Sequence, residues 1–252
     1  MQVATILPTR YLWLEADSDY HLCLAHLLRH DPEYTDFFAD QSRRGSHVIM
    51  DNGVVETGEA MPIEELMELA SQVGATEIIL PDVLRDKDAT LGLSEQALIY
   101  AQNSGWYGGI MAVPQGDTPE EWRECFEGML GWPITAIGIS RFLVPDVYPN
   151  RAEALRDIYD LLTWTDKRYH LLGCPGDPQE IWEAYNVLPG QVRGTDSGIA
   201  AIYTEAGLLA EDGHSKPDVE LDFRAGDKLG YDSELLIRNW AWWKRSVRGL
   251  SI

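Results

Sequence analysis

Residues 168–197 have the sequence RYHLLGCPGDPQEIWEAYNVLPGQVRGTDS, and this stretch decides the fold class. Short apolar runs indicate strands at 168–173 and 191–195, and helical periodicity indicates a helix between them at 177–186. A strand, a helix and a second strand in this order form a βαβ unit, whose two strands lie parallel. The unit therefore predicts an α/β fold built on a parallel sheet.

The same alternation extends towards both ends of the chain. Further strands are predicted at 3–8, 47–51, 77–81, 109–113 and 134–139. Helices are predicted at 18–30, 62–74, 88–104, 118–130, 150–163, 198–209 and 232–248. These segments complete seven strands with helices between most of them.

Two segments are less regular. An eighth strand is predicted at 219–223, although a surface hairpin within the polar stretch 211–230 fits that segment equally well. The segment 9–46 is too long for one crossover and is predicted to hold two helices and a loop that leans over the barrel mouth. Because about 250 residues are typical of one barrel, we predict a single (β/α)8 TIM-type barrel domain over residues 1–252, with a C-terminal helix at 232–248.

The charge balance limits the classes of function. The chain has 20 Lys and Arg against 41 Asp and Glu, a net charge of −21. Such a charge repels a polyanion at long range, so any nucleic-acid role requires a local basic patch. One candidate patch is the C-terminal run that contains Arg238, Lys244, Arg245 and Arg248. The alternative is an amphipathic helix that packs its Trp residues on the barrel.

Neither a metal nor a cofactor is expected. The 3 Cys residues are widely spaced without a CxxC pair, and the chain lacks the motifs of nucleotide-cofactor sites and zinc proteases. No apolar run reaches the roughly 18 residues of a membrane span, and no signal peptide is evident. We therefore expect a cytoplasmic protein with no membrane partner, whose oligomeric state stays open.

In parallel barrels, catalytic groups lie at the carboxyl ends of the strands. The residues at the predicted ends are Asp51, Asp82, Gln115, Gly138, Gly173 and Asp196. A carboxylate just past an apolar strand is costly to desolvate unless it is paired, caps a helix or takes part in function. Taken alone, each aspartate fits helix capping as well as catalysis. His170 is predicted to be a hydrogen-bonded core histidine rather than a general base.

Six segments at these strand ends carry a family resemblance. They are MDNGVVETGE at 50–59, IILPDVLRD at 78–86, GIMAVPQG at 109–116, AIGIS at 136–140, RYHLLGCPGDPQEI at 168–181 and GTDS at 194–197. Taken in order, they resemble the tRNA-guanine transglycosylase family, and more closely its short phage relatives that insert 7-deazaguanines into DNA. The resemblance covers roughly residues 47 to 200.

The resemblance implies a role for each matching residue. Asp196 takes the place of the nucleophile, Asp51 that of the general acid/base, and Asp82 that of the base-recognising aspartate. The remaining base contacts would come from Gln115, Gly116, Gly138 and Gly173. The implied activity is exchange of guanine in DNA for a 7-deazaguanine base such as 7-cyano-7-deazaguanine, a phage modification that would evade restriction in the host cytoplasm.

The chain also departs from the family pattern. The C-terminal zinc site of three Cys and a His is absent, as is most of the insertion that grips tRNA, which favours DNA as the substrate. Ile139 replaces the second glycine of the base-binding strand end, and Val55 stands where the family has a stacking aromatic ring. Substitute rings would come from Trp106, Tyr107 or Phe142.

Several alternatives stay open at this point. The expected phosphate contacts are Arg43, Arg44, Arg141, Arg193 and Arg245, each of which fits a solvated surface role as well. RNA could replace DNA as the substrate. A barrel glycosidase or other hydrolase, and a purine-binding barrel without catalysis, also fit the acidic strand ends.

Overall fold

The computed structural model describes residues 1–162 and 165–248. Its centre is a sheet of eight parallel strands: β1 (Gln2–Thr5), β2 (Tyr20–Leu24), β3 (His47–Asp51), β4 (Glu77–Ile79), β5 (Gly109–Ala112), β6 (Ala136–Ser140), β7 (Arg168–Leu172) and β8 (Val192–Ser197). The hydrogen-bonded order is β1-β8-β7-β6-β5-β4-β3-β2, and β1 also lies beside β2. The sheet is therefore a nearly closed barrel, which confirms the predicted (β/α)8 TIM-type fold.

Helices surround the barrel. They are α1 (Ala25–Leu28), α2 (Pro32–Arg43), α3 (Val54–Thr57), α4 (Ile63–Val73), α5 (Lys87–Asn103), α6 (Pro119–Leu130), α7 (Arg151–Asp157), α8 (Tyr159–Leu162), α9 (Pro178–Val187), α10 (Ile199–Glu205) and α11 (Ser233–Arg248). The predicted helix 150–163 is thus divided into α7 and α8. Its residue 163, like residues 249–252 of the predicted domain, lies outside the described residues.

The prediction of a helix over 18–30 is wrong for its first half, and only Ala25–Leu28 (α1) is helical. Residues Tyr20–Leu24 form β2, which pairs with β3 from Tyr20↔His47 to Leu24↔Asp51. All five residues of this strand are buried, because the barrel interior covers one face and helices cover the other. A strand buried on both faces lacks the alternating pattern that separates strand from helix.

β2 takes the place of the predicted strand at 219–223. That segment has no regular secondary structure and lies over the carboxyl end of the barrel, where it lines the central cavity. Its position is fixed partly by a hydrogen bond from Thr9 N to Phe223 O (3.1 Å). The cover over the mouth therefore comes from the stretch 211–230 rather than from the segment 9–46, which holds a 3-10 helix at Thr9–Glu15, β2, α1 and α2.

The C-terminal helix α11 packs against the barrel. Trp243 is fully buried, and Trp240 Nε1 donates to Glu15 Oε1 (2.6 Å). Lys244 Nζ also donates to Glu15, at 2.7 Å from Oε2. The aromatic and part of the basic content of this helix thus serves packing, as the amphipathic alternative predicts.

A chain of polar side chains crosses the amino-terminal half of the barrel interior. Tyr20 lies beside Arg193, Arg193 forms an ion pair with Glu77, and Glu77 Oε2 accepts from His47 Nε2 (3.0 Å). Burial alone would raise the pKa of Glu77, but the bonds from His47 and Arg193 lower it to about 2. Gly194 makes room for this chain, since a Cβ there would lie 2.9 Å from the Tyr20 ring.

Across residues 1–162 and 165–248, no helix combines the length and the apolar character that crossing a membrane requires.

Candidate functional site

A cavity of about 650 Å³ opens at the carboxyl ends of the strands. Asp51 from β3, Asp82 after β4, Gln115 after β5 and Asp196 from β8 all line it. The structure therefore brings together the three aspartates and the glutamine that the sequence singles out. The volume lies within the range of small-molecule sites.

Asp82 is held by two side-chain amides. Asn52 Nδ2 donates to Oδ1 at 2.7 Å, and Gln115 Nε2 donates to Oδ2 at 2.6 Å. Burial raises the pKa of Asp82 to about 6, although both of these hydrogen bonds act to lower it. The carboxylate is therefore largely ionised at neutral pH and keeps lone pairs for further donors.

Asn52 and Gln115 are themselves held in place. Asn52 Nδ2 also donates to Leu80 O (2.8 Å), and Gln115 Oε1 accepts from Arg85 N (3.2 Å). This network fixes the orientation of Asp82 before any ligand binds. Sequence reasoning missed Asn52, although its position directly after Asp51 could have suggested a part in the site.

Asp51 lies in a different environment. Its Oδ2 accepts from the backbone N–H of Gly53 (2.9 Å). Burial raises the pKa of Asp51 well above its ordinary value, the negative charge of Glu56 raises it further, and the bond from Gly53 opposes the rise. A carboxyl group in this state keeps its proton to higher pH, as a general acid must.

Asp196 is paired with a buried histidine. His170 Nε2 donates to Asp196 Oδ1 (2.9 Å), and Gly173 N donates to the same oxygen (3.2 Å). Burial lowers the pKa of His170, which favours the neutral ring. With Nε2 donating to the carboxylate, Nδ1 accepts from Tyr20 O–H (2.7 Å). Asp196 is thereby joined to the polar chain inside the barrel, and His170 has the hydrogen-bonded core position that the sequence predicts.

None of the three aspartates caps the helix that follows it. The helices α2, α5 and α9 are capped by Asp31, Asp86 and Asp177, whose side chains accept from backbone N–H groups at 2.9–3.0 Å. At α3 and α10, which follow β3 and β8, the first backbone N–H donates to the neighbour of the aspartate instead, to Asn52 Oδ1 (3.0 Å) and Ser197 Oγ (3.1 Å). The capping alternative is therefore excluded for Asp51, Asp82 and Asp196.

A buried ion pair supports one wall of the site. Arg151 is fully buried and donates to Glu180 from Nε (2.9 Å, Oε1) and from Nη2 (2.7 Å, Oε2). Its Nη1 donates to Ile139 O (3.1 Å) and Leu172 O (3.0 Å), which lie near the carboxyl ends of β6 and β7. Sequence reasoning missed this pair, because nothing in the local pattern marks Arg151 as buried.

The structure separates the predicted base-contacting glycines. Gly173 lines the cavity with φ of 69°, a conformation that favours glycine. Gly116 and Gly138 do not line the cavity. A Cβ on Gly116 would lie 2.4 Å from Trp122 N, and one on Gly138 would lie 2.6 Å from Leu172 Cδ1. These two positions therefore require glycine for close packing, and their contact with a base is not supported by where they lie.

Four of the predicted phosphate contacts lie away from the cavity. Arg43 and Arg44 end α2 at the face opposite the mouth, where both pair with Asp40. Arg193 is buried inside the barrel, where it pairs with Glu77, and this burial corrects the expectation that it contacts DNA. Arg245 is exposed on α11, 3.9 Å from Glu211. By contrast, Arg141 lines the cavity.

The aromatic residues considered for base stacking lie at opposite ends of the barrel. Phe142 lines the cavity, whereas Trp106 and Tyr107 lie before β5, at the opposite end of the barrel. Val55, in the place of the family's aromatic residue, lines the cavity, and so does Phe223 of the cover segment. Sequence reasoning missed Phe223, which only tertiary folding brings to the mouth.

Within the part of the chain that the structure describes, no group of three or more His, Cys, Asp and Glu side chains is arranged to hold a metal ion. Neither a family model nor a curated protein matches the chain.

Proposed function

We propose that the protein exchanges guanine in DNA for a 7-deazaguanine base through a covalent glycosyl-aspartate at Asp196. The observation that carries the proposal is that Asp51, Asp82 and Asp196 line one cavity, each in a different electrostatic environment. Those environments suit three different tasks, namely proton transfer, base recognition and nucleophilic attack. The order of the motifs along the chain supports the same assignment.

In the first half-reaction, a carboxylate oxygen of Asp196 attacks C1′ of the nucleoside. The C1′–N9 bond breaks, and its electron pair leaves with guanine, as in retaining glycosidases. Asp51 gives its proton to the departing base, which then leaves as neutral guanine. The raised pKa of Asp51 supports this role, because the group keeps its proton to a higher pH than an ordinary aspartate does.

In the second half-reaction, N9 of the incoming base attacks C1′ and the C1′–O bond to Asp196 breaks. The carboxylate is regenerated, and the N9 proton of the incoming base returns to Asp51. The hydrogen bond from His170 to Asp196 keeps one carboxylate oxygen fixed, so that the other can reach C1′. No cofactor is required, since protons and electron pairs balance over the two steps.

Base selection follows from Asp82 and Gln115. The N1–H and N2–H groups of guanine are donors, which the ionised carboxylate of Asp82 accepts with its free lone pairs. The second N–H of Gln115 Nε2 remains for O6. Adenine presents a different donor and acceptor pattern at this edge and would leave Asp82 buried without donors from the base.

A base inside a duplex cannot reach a cavity at the barrel mouth, so it must leave the stack to react. DNA is proposed as the polymer because the ordered motifs resemble the short phage enzymes that act on DNA more closely than the enzymes that act on tRNA.

Mixing the protein with guanine-containing DNA and radiolabelled guanine tests the proposal. Label in DNA supports exchange, release of free guanine alone indicates a hydrolase, and neither indicates a purine-binding barrel. The same experiment with RNA tests the polymer. Asp196→Ala must abolish labelling.

Asp86→Ala is the matched control. It removes an aspartate that also follows β4 but only caps α5, so it should keep exchange while losing about 1 kcal/mol of stability. Exchange at the wild-type rate by Asp196→Ala would refute the nucleophile assignment.

A further inference from the structure

Two cationic side chains, Arg141 and Lys216, line the cavity without an ion-pair partner among residues 1–162 and 165–248. Most cations elsewhere in the described residues are paired, as in Lys87–Glu124 (2.6 Å) and Arg156–Glu153 (2.5 Å). Arg168 and Arg224 instead donate to backbone carbonyls outside the cavity. In a chain of net charge −21, carboxylates outnumber basic groups and would be expected to neutralise both cations. Two half-buried cations without a bound carboxylate therefore indicate a partner that arrives with the ligand.

The position of Arg141 is fixed by its surroundings. Its Cζ lies 4.2 Å from the centroid of the Phe142 ring, a cation–π contact. Its side chain also crosses Gly173, where a Cβ would lie 2.5 Å from Arg141 Cδ. Burial lowers the pKa of Arg141, while the charges of Asp196 and Glu56 raise it. The guanidinium is therefore held near the proposed nucleophile without being bound to it.

Lys216 approaches from the segment that covers the mouth. A Cβ on Gly176 would lie 3.2 Å from Lys216 Cβ, so the loop after β7 needs glycine there for the segment to come close. Burial lowers the pKa of Lys216 to about 8, and repulsion by Arg141 contributes to this shift. Both cations line the same cavity, where an anion bound between them would offset their mutual repulsion.

We infer that Arg141 and Lys216 form a phosphate subsite that binds the backbone phosphate next to the nucleoside reacting at Asp196. The inference rests on the proposed function, because a nucleotide necessarily brings a phosphate close to its sugar. A planar guanidinium beside an ammonium is a suitable pair for phosphate oxygens. The two cations give a phosphate a local attraction in a cavity that six carboxyl groups also line, namely Asp51, Glu56, Asp82, Asp196, Asp218 and Glu220.

Deoxyguanosine and its 5′- and 3′-monophosphates test the subsite by equilibrium binding. The wild-type protein should bind one of the monophosphates about tenfold or more tightly than deoxyguanosine. Arg141→Gln and Lys216→Gln should each remove most of that preference, whereas Lys216→Arg, which keeps the charge, should retain it. The matched control is Arg156→Gln, which removes an exposed cation paired with Glu153 and should change nothing.

A short single-stranded DNA supplies the second measurement. Each of the two glutamine variants should weaken DNA binding and reduce the slope of log K against log salt by about 0.7, the contribution of one phosphate contact. If both variants bind the monophosphates and DNA as the wild type does, the subsite is refuted even where base exchange proceeds. If exchange is absent but the preference for a monophosphate is present and both variants lose it, the proposed function fails and the subsite stands.

Discussion

Base binding should weaken as Asp82 becomes protonated. With a pKa of about 6, the ionised fraction of Asp82 falls about tenfold between pH 7 and pH 5. Only the carboxylate can accept from both N1–H and N2–H of guanine while it holds the amides of Asn52 and Gln115. The affinity for guanine should therefore fall about tenfold over this range.

The variant Asp82→Asn isolates this effect. Asparagine offers one oxygen where Asn52 Nδ2 and Gln115 Nε2 each require an acceptor. If the Gln115 amide rotated by a half-turn, its oxygen would face residue 82, but its NH2 group would then face the Arg85 backbone N–H, which is also a donor. One donor is left without an acceptor in either case, at a cost of about 1–3 kcal/mol.

The stability of the variant follows from the sign of the pKa shift. Because the pKa of Asp82 rises from 3.8 to about 6 on folding, the folded state binds more protons than the unfolded state between about pH 4 and pH 6. The free energy of unfolding of the wild type therefore falls as the pH rises through this window, by about 3 kcal/mol in all. Asp82→Asn avoids that loss, which offsets its missing hydrogen bond, so it should be about as stable as the wild type at pH 7.

Calorimetric titration with guanine and adenine from pH 5 to pH 7.5 provides the measurement. The wild type should show the tenfold fall, and Asp82→Asn should bind guanine weakly, with little pH dependence and little preference over adenine. A wild-type affinity that stays constant from pH 7.5 to pH 5 would refute the reasoning. So would an Asp82→Asn protein that keeps both the pH dependence and the preference for guanine.

Three further predictions concern other groups. His170→Phe removes the hydrogen bond to Asp196, so kcat for base exchange should fall about 10–100-fold with KM for DNA unchanged, and Tyr20→Phe should have a smaller effect. Equal kcat values in His170→Phe and the wild type would exclude a positioning role for His170. Asp51→Asn cannot donate a proton, so single-turnover glycosyl transfer should fall by about 10²–10⁴ and lose the decline above the raised pKa that the wild type shows; an unchanged pH–rate profile would contradict the assignment. Arg151→Met leaves Glu180 buried without a partner and should lower the free energy of unfolding in urea by about 3–5 kcal/mol, whereas the exposed control Arg156→Met should lower it by less than about 1 kcal/mol. Equal losses of stability in the two variants would show that the buried pair does not support β6 and β7.

The fold was accessible from sequence because strands and helices alternate with distinct periods. The strand β2 was not, since Tyr20–Leu24 is buried on both faces and its apolar run fits a helix equally well. Helix boundaries marked by local chemistry were predicted closely, as at Pro119–Leu130, where Thr118 caps the first turn and proline follows.

The candidate site was accessible only where it depends on strand ends. Asp51, Asp82 and Asp196 lie at or just after the carboxyl ends of short apolar strands, and the topology of a parallel barrel brings such positions together. Asn52, Lys216 and the pair Arg151–Glu180 depend on contacts between segments far apart in the chain, for which sequence offers no local signal. Arg193 was wrongly expected at the surface. It lies near the start of β8 and is buried, because Glu77 and Tyr20 surround it inside the barrel.

The polar chain inside the barrel also constrains how this protein can change over evolutionary time. Each member of this chain is a polar partner of a neighbour, so replacing one member leaves another buried without a partner. The members are His170, Tyr20, Arg193, Glu77 and His47. Drift by single steps would pass through destabilised intermediates, while concerted replacement by apolar residues would not. Homologous barrels should therefore retain these five residues as a set or lack them as a set, and their joint presence would serve as a signature for recognising relatives that share this interior.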